Sequence, residues 1–341
     1  MAHLATTYQY IADILSFSVP NTVLEDTLDD AFDWDAVVEV GSSHLVLPAI
    51  YCRLKSKALL PKLPAELEDY LEEITAINRN RNKSLMVQIH RLSELLEAHG
   101  IDHVFLKGAA LLAMQCYEDN AERMVGDIDI LIASSQLEKA FNVLLNNGYE
   151  RGMGYAYQTI GFRHLDRLVS KDALAAVELH GALFNSEHRH DMDNTAVLKG
   201  KQKISGIAIP SKTDLAKHQI LSYQIIDHGH YYKSLNLKIV YDSMMLKIHT
   251  NHRLITSLSH TTYGQSYLSI SRLYVKDFLG IPTQKRHHYF NFIHKISTKN
   301  KIASVVILSL KRLYHATYKR IRLLYKNKHY RNHIINKIFF K

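Results

Sequence analysis

Two carboxylates, Asp127 and Asp129, stand two residues apart in the run Arg123-Met-Val-Gly-Asp-Ile-Asp-Ile-Leu-Ile132. Ile128 and Ile130 alternate with them, which is a strand pattern, so both acids project from one face while the isoleucines enter the core. Like charges at that spacing repel unless a cation lies between them. The hard oxygen donors suit Mg²⁺, which keeps water and substrate phosphates in its remaining positions. Upstream, Phe105-Leu-Lys-Gly-Ala-Ala-Leu-Leu112 reads as a strand entering a helix at Lys107-Gly108. Such a turn offers backbone N–H groups and a helix N-terminus to a phosphate, Gly108 lets the backbone come close, and Lys107 adds a point charge. Downstream, Ala175-Ala-Val-Glu-Leu-His180 alternates again, with Glu178 and His180 on one face. A glutamate on a packed sheet is costly unless paired or metal-bound. Laid antiparallel beside the Asp strand, Glu178 completes a cage of three carboxylates for two Mg²⁺ ions, an arrangement suited to in-line phosphoryl or nucleotidyl transfer. Each piece alone also has an ordinary reading: a surface Asp-x-Asp, a turn with a solvated lysine, a glutamate in an ion pair. Their conjunction points to chemistry.

These residues need elements to place them. The 341 residues suit two domains, or one with a large helical elaboration. Residues 1–98 read as a helical region. Ile11, Ile14 and Leu15 share a face, Asp33 or Asp35 caps the following segment, and Pro48 falls in or beside a helix running through Leu54. A long helix over 64–97 opens at Pro64 and ends at Gly100. Residues 99–210 form a sheet domain, with strands at 103–106, 127–132, 173–180 and 204–209 and helices at 108–116 and 135–146. Residues 211–283 return to helix, with Ser211 capping one to about 228 and a second over 237–250. A basic helical tail covers 284–341. The fold class is α+β: a small mixed sheet between helical N- and C-terminal regions.

Composition bounds the function. Hydrophobic residues at 47% and charged residues at 22% describe a globular chain with a real core. Two cysteines, Cys52 and Cys116, cannot build a disulfide framework or a Cys-rich zinc site, and they fit a reducing cytoplasm. The first twenty residues show no signal-peptide pattern. The apolar run 302–310 is far below the ~20 residues of a membrane span. The net charge of +9 is uneven: residues 284–341 hold 15 of the 42 Lys+Arg and no acid, leaving 27 basic against 33 acidic residues elsewhere, a net of −6. In that tail Lys311, Arg312, Lys319, Arg320 and Arg322 interleave with Leu313, Tyr314, Tyr318, Ile321, Leu324 and Tyr325. Three readings stay open: an anionic membrane surface, nucleic acid, or packing back on the acidic body.

A Gly-led helix, then Asp-x-Asp, then a later acidic strand residue resembles the DNA polymerase β-like nucleotidyltransferase superfamily. More narrowly, Leu-Lys-Gly-Ala-Ala-Leu, Arg-x-x-Gly-Asp-Ile-Asp-Ile-Leu and Glu-Leu-His resemble the family of uncharacterised bacterial nucleotidyltransferases, over roughly residues 40–250. Lys217-His-Gln-Ile-Leu-Ser222 and Leu237-Lys-Ile-Val-Tyr-Asp242 are similar to its helical region. The resemblance implies Asp127 and Asp129 as ligands of Mg²⁺, two ions in all. It implies Glu178 as third ligand and base, with Lys107, Gly108 and Ala109 holding the triphosphate of an NTP such as ATP. Arg123 would touch a phosphate or brace the Asp strand. His180 and His164 could meet a substrate phosphate or relay a proton. There are two departures: Gly108-Ala109 stands where the wider superfamily has Gly-Ser, and Gly181 follows Glu-Leu-His where an aromatic is usual. His228 and His230 with Asp227 fit a helix C-terminus, and Glu187, His188 and His190 a polar loop. The expected activity is transfer of an NMP from an NTP to a hydroxyl on a small molecule, sugar or lipid-linked intermediate. The expected place is the cytoplasm, at most peripheral on the inner membrane face, with oligomeric state open. Two alternatives are a catalytically weak nucleotide- or RNA-binding module and a protein-modifying nucleotidyltransferase.

Overall fold

A computed structural model describes residues 4–152, 163–282, 287–299 and 301–339. Five helices open the chain: α1 (Leu4–Leu15), α2 (Asn21–Thr27), α3 (Trp34–Ser43), α4 (Leu47–Ser56) and α5 (Ala65–Ala98). Ile11, Ile14 and Leu15 are fully buried on α1. The Asp33 carboxylate accepts the Ala36 N–H at 3.0 Å and caps α3, satisfying one of the amide donors a helix start leaves free. Pro48 sits in the first turn of α4 and Pro64 immediately before α5, positions where a missing N–H costs nothing. Gly100 takes φ +64° after α5 and turns the chain into the sheet.

The sheet region runs β1 (His103–Phe105), α6 (Lys107–Met114), β2 (Ile128–Ile132), α7 (Leu137–Asn146), β3 (Glu150–Arg151), β4 (Leu168–Val169) and β5 (Val177–His180), with strand order β1-β2-β5-β4-β3. β1 is antiparallel to β2, whereas β5 is parallel to it, with Asp129 level with Glu178. The expected antiparallel placement of the glutamate strand is therefore corrected. The reason is topological. α7 carries the chain back to start β3 in the direction of β2. Two antiparallel steps, β3 to β4 and β4 to β5, then return β5 to that direction.

Beyond α8 (Asn194–Lys199), the single strand expected at 204–209 is instead a hairpin of β6 (Gln202–Ile204) and β7 (Ile207–Ile209). Ser205 at φ +49° and Gly206 at φ +83° form its two-residue turn, the left-handed pair that matches strand twist. Then come α9 (Lys212–Ile225), α10 (Gly229–Tyr232), α11 (Leu237–Met245), α12 (His252–Ser259), α13 (Thr262–Ser271), α14 (His287–Lys299), α15 (Lys301–Lys326) and α16 (Lys328–Phe339). α9 ends at Ile225, so His228 and His230 lie beyond it, His228 in the left-handed region and His230 within α10. One buried hydrophobic cluster joins residues from Tyr8 to Phe290. The start expected for the tail, residue 284, lies outside the described residues. No described helix is long and apolar enough to cross a membrane.

Candidate active site

Helix α5 holds the chain that leads into the Asp strand. The Asn82 amide donates to the Arg123 carbonyl at 2.8 Å, and the Asn78 amide to the Ala121 carbonyl at 2.6 Å. Arg81 donates to the carbonyls of Val125 and Gly126 at 3.1 and 3.3 Å. About two turns later Gln88 exchanges two hydrogen bonds with the Ala175 backbone, at 2.8 and 3.0 Å, fixing the approach to β5. The loop is clamped from the other side by α11. Asp242, fully buried, accepts from Arg123 Nε at 3.1 Å and from the Tyr117 hydroxyl at 2.6 Å, and the Tyr241 hydroxyl donates to Glu122. Buried charges persist only when paired in this way. Arg123 thus braces the loop while lining the cavity described below.

The three carboxylates meet on one face. Asp129 is buried. Lys107 Nζ and His180 Nε2 lie 2.7 and 2.8 Å from the same oxygen of Asp129. Burial pushes the Asp129 carboxyl up, but the charge of Lys107 and the His180 hydrogen bond outweigh this and hold it far below the usual range. Lys107 is a non-glycine residue at φ +47°; such strain is maintained by its surroundings and gathers at functional sites. His180 is fully buried behind Asp129, and its Nδ1 lies 3.0 Å from the Arg163 guanidinium. A guanidinium only donates, so Nδ1 accepts, and the ring proton sits on Nε2 and is donated to Asp129. Burial lowers the His180 pKa to about 4, in keeping with this neutral tautomer.

Asp127, just before β2, is half-exposed, and burial followed by the nearby Asp129 raises its pKa. Arg167 closes the group. Its guanidinium lies 2.9 Å from Asp127 and 2.7 Å from Glu178. Burial pushes Glu178 up, but the Arg167 hydrogen bond and His164 bring it below its ordinary range. Among the described residues, single ligand atoms of Asp129, Glu178 and His180 lie within 4.8 Å of one another, a group that could hold a metal. Both His180 nitrogens are engaged, so the donors that remain are carboxylate oxygens of Glu178, Asp129 and, across Arg167, Asp127. That donor set fits a hard divalent cation.

A cavity of about 180 Å³ opens beside the carboxylates. Lys107, Gly108 and the 123–127 loop form one wall; Gln219, Ser222 and Tyr223 of α9 and Lys238 of α11 form the other. Gly108 has no room for a side chain, since a Cβ there would meet Val125 at 2.9 Å. Gln219 is 3% exposed and neither side-chain polar atom has a partner among the described residues, an expensive state that a bound polar ligand would relieve. Burial, then Arg123, lowers Lys238 to about 8.

The sequence matches the family model of uncharacterised nucleotidyltransferases over residues 30–253, more than half of the chain. The chain belongs to this nucleotidyltransferase family. No curated protein matches it. As in the sequence reading, Lys107, Gly108, Asp127, Asp129 and Glu178 are gathered in one place. Ala109 and His180 are fully buried, one inside α6 and the other behind Asp129. His164 pairs with His180 across an isolated bridge and lies 3.9 Å from Glu178. Burial pushes the thiols of Cys52 and Cys116 up to about 12, so neither is a nucleophile at neutral pH. Sequence reasoning missed Arg167, Arg163, Gln219 and Lys238. The last two sit inside the segments that resemble the helical region, and Gln219, Ser222 and Tyr223 have the spacing of one helix face. Arg167 carries no local signal.

Proposed function

We propose that this nucleotidyltransferase-family protein moves a nucleoside monophosphate from an NTP to a hydroxyl acceptor, releasing pyrophosphate. The observation that carries the reading is the convergence of Asp127, Asp129 and Glu178 beside a cavity whose walls bring Lys107 and Lys238. The three carboxylates would hold Mg²⁺, two ions as the family resemblance implies. Bound there, the metal would neutralise the phosphate charge and the developing alkoxide.

The chain's own residues position the rest. Lys107, the Gly108 backbone and the first turn of α6 cradle the triphosphate. Lys238 offers a second cation from the opposite wall, and the Gln219 amide can both donate to and accept from the nucleotide. His180 and Arg163 keep Asp129 ionised and oriented. Glu178, released from Arg167, takes the proton of the acceptor hydroxyl as its oxygen attacks the α-phosphorus and the bond to pyrophosphate breaks. The acceptor classes this allows are a small molecule, a sugar or a lipid-linked intermediate, and a protein hydroxyl obeys the same chemistry. For the last but one, residues 284–341 would hold the enzyme at an anionic membrane.

One observation favours a second reading, a nucleotide- or RNA-binding module without turnover: Lys107 and Arg167 already neutralise the carboxylates. Pyrophosphate release from each of the four NTPs, with and without Mg²⁺, in wild type and Asp127→Asn, separates the two. Metal-dependent release lost in the variant supports transfer. Nucleotide binding without release under any acceptor supports the module.

A further inference from the structure

The opposite face of α9 lines a second, larger cavity. Gln219, Ser222 and Tyr223 face the carboxylates, while Gln224 and Ile225 point the other way, into a space of about 690 Å³ closed by α10, α13, α14 and α15. That volume falls in the range of small-molecule sites, ~300–1,000 Å³, which are mostly apolar with a few convergent polar groups. Tyr263, Tyr289, Ile293 and Ile296 supply the apolar wall.

The polar groups are cationic and lack counter-charges. Lys233 is buried. Its Nζ lies 3.2 and 3.3 Å from the ring nitrogens of His230 and 4.9 Å from the centre of the Phe290 ring. Lys311, reaching in from α15, contacts the Tyr231 carbonyl at 3.4 Å. Neither lysine has a carboxylate in ion-pair range among the described residues. The nearby acids are taken: Asp191 by His188 at 3.1 Å, and Glu187 by Arg322. The tail helices can bring none, because residues 284–341 contain no Asp or Glu. Gln224 adds a second observation. It is 2% exposed, it lines the cavity, and neither polar atom of its amide has a partner among the described residues. Two inward lysines, bonded to the His230 and Tyr231 carbonyls but without a counter-charge, and an amide without a partner are costly in an empty protein and are relieved together by an anionic ligand.

We propose that this cavity is a separate ligand site for a phosphate-headed amphiphile. Lys233, Lys311 and the Gln224 amide hold the head, and Tyr263, Ile293 and Ile296 cover the apolar body. The head chemistry is shared by a free phosphorylated metabolite and a membrane lipid. α15 carries Leu313, Tyr314, Ile321 and Tyr325 exposed along its length beside the cavity, so a lipid could enter with that helix on the membrane.

The test is calorimetric titration of the full chain with decyl phosphate below its micelle concentration, with decanol as the neutral control. One molecule is expected to bind per chain, and decanol at least about tenfold more weakly. Lys233→Met and Lys311→Met should each weaken decyl phosphate by about tenfold or more, and Lys311→Arg should restore it. Arg320→Met, an exposed charge of the same tail, should leave it unchanged, as should Asp127→Asn in the other site. The unfolding temperature of each variant identifies any that fail to fold, and the Lys311→Arg and Arg320→Met pair still decides in that case. Flotation with phosphatidylcholine vesicles, with and without phosphatidic acid, names the source. Lysine-dependent capture by phosphatidic acid means a lipid, and calorimetric binding without capture means a free metabolite. Equal binding of decanol, or indifference of decyl phosphate to Lys233 and Lys311, overturns the proposal.

Discussion

Arg167 stands between the carboxylates and any metal, and this has a measurable consequence. Its guanidinium donates to Glu178 from Nε at 3.1 Å and Nη2 at 2.7 Å, and to Asp127 from Nη2 at 2.9 Å. The Arg167 side chain is 46% exposed, so solvent screens these pairs; Glu178 at 12% is screened less. Exposed pairs are worth up to ~1 kcal/mol and forked charge-assisted ones somewhat more, so freeing both carboxylates should cost about 1–2 kcal/mol. A divalent ion must supply that energy to enter. Arg167→Ala should therefore bind Mn²⁺, a spectroscopic stand-in for Mg²⁺, roughly 5- to 30-fold more tightly than wild type. Arg167→Lys keeps the charge but loses the fork, and should fall between them. Electron paramagnetic resonance titration without nucleotide reads this directly and needs no turnover. Unchanged or weaker Mn²⁺ binding in Arg167→Ala would refute the reasoning, because the arginine would then not be competing for the metal's place.

Other expectations follow from the same geometry. Asp127→Asn and Asp129→Asn should both abolish metal-dependent turnover, but only Asp129→Asn should lower the unfolding temperature. It leaves Lys107 and the His180–Arg163 chain without the buried charge they serve, whereas Asp127 is 35% exposed. Gly108→Ala should destabilise by about 1–3 kcal/mol in denaturant titration, since its Cβ would meet Val125 at 2.9 Å, and Val125→Ala should recover part of the loss. Acid should destabilise the protein through its buried histidines. Burial lowers His218 to about 3 and His44 to about 4 from 6.5. The unfolded chain therefore takes up protons first, and stability is complete above pH 6.5 and lost as pH falls below it. His218→Phe, beside the Phe184 ring, should flatten that dependence in urea midpoints measured at pH 7 and pH 5.

What the sequence determined by itself was local. An alternation of two placed Asp127 with Asp129, and Glu178 with His180, each pair on one strand face, because neighbouring residues encode the pleat. Asp33, Ser211 and Gly100 announced helix ends through hydrogen bonds and backbone angles that reach only a few residues. The motif residues Lys107, Gly108, Asp127, Asp129 and Glu178 were legible for the same reason. Tertiary structure decided how those pieces face one another. The direction of β5 depends on the number of reversals since β2, not on any residue in either strand. His180 lies behind Asp129, not at the cavity surface, because Arg163 and Asp129 hold it from both sides. Arg167 reaches Asp127 across 40 positions, and α9 and α11 bring Gln219 and Lys238 from about a hundred residues away. Contacts at that separation are set by the packing of whole elements into one core, which no short window of sequence records.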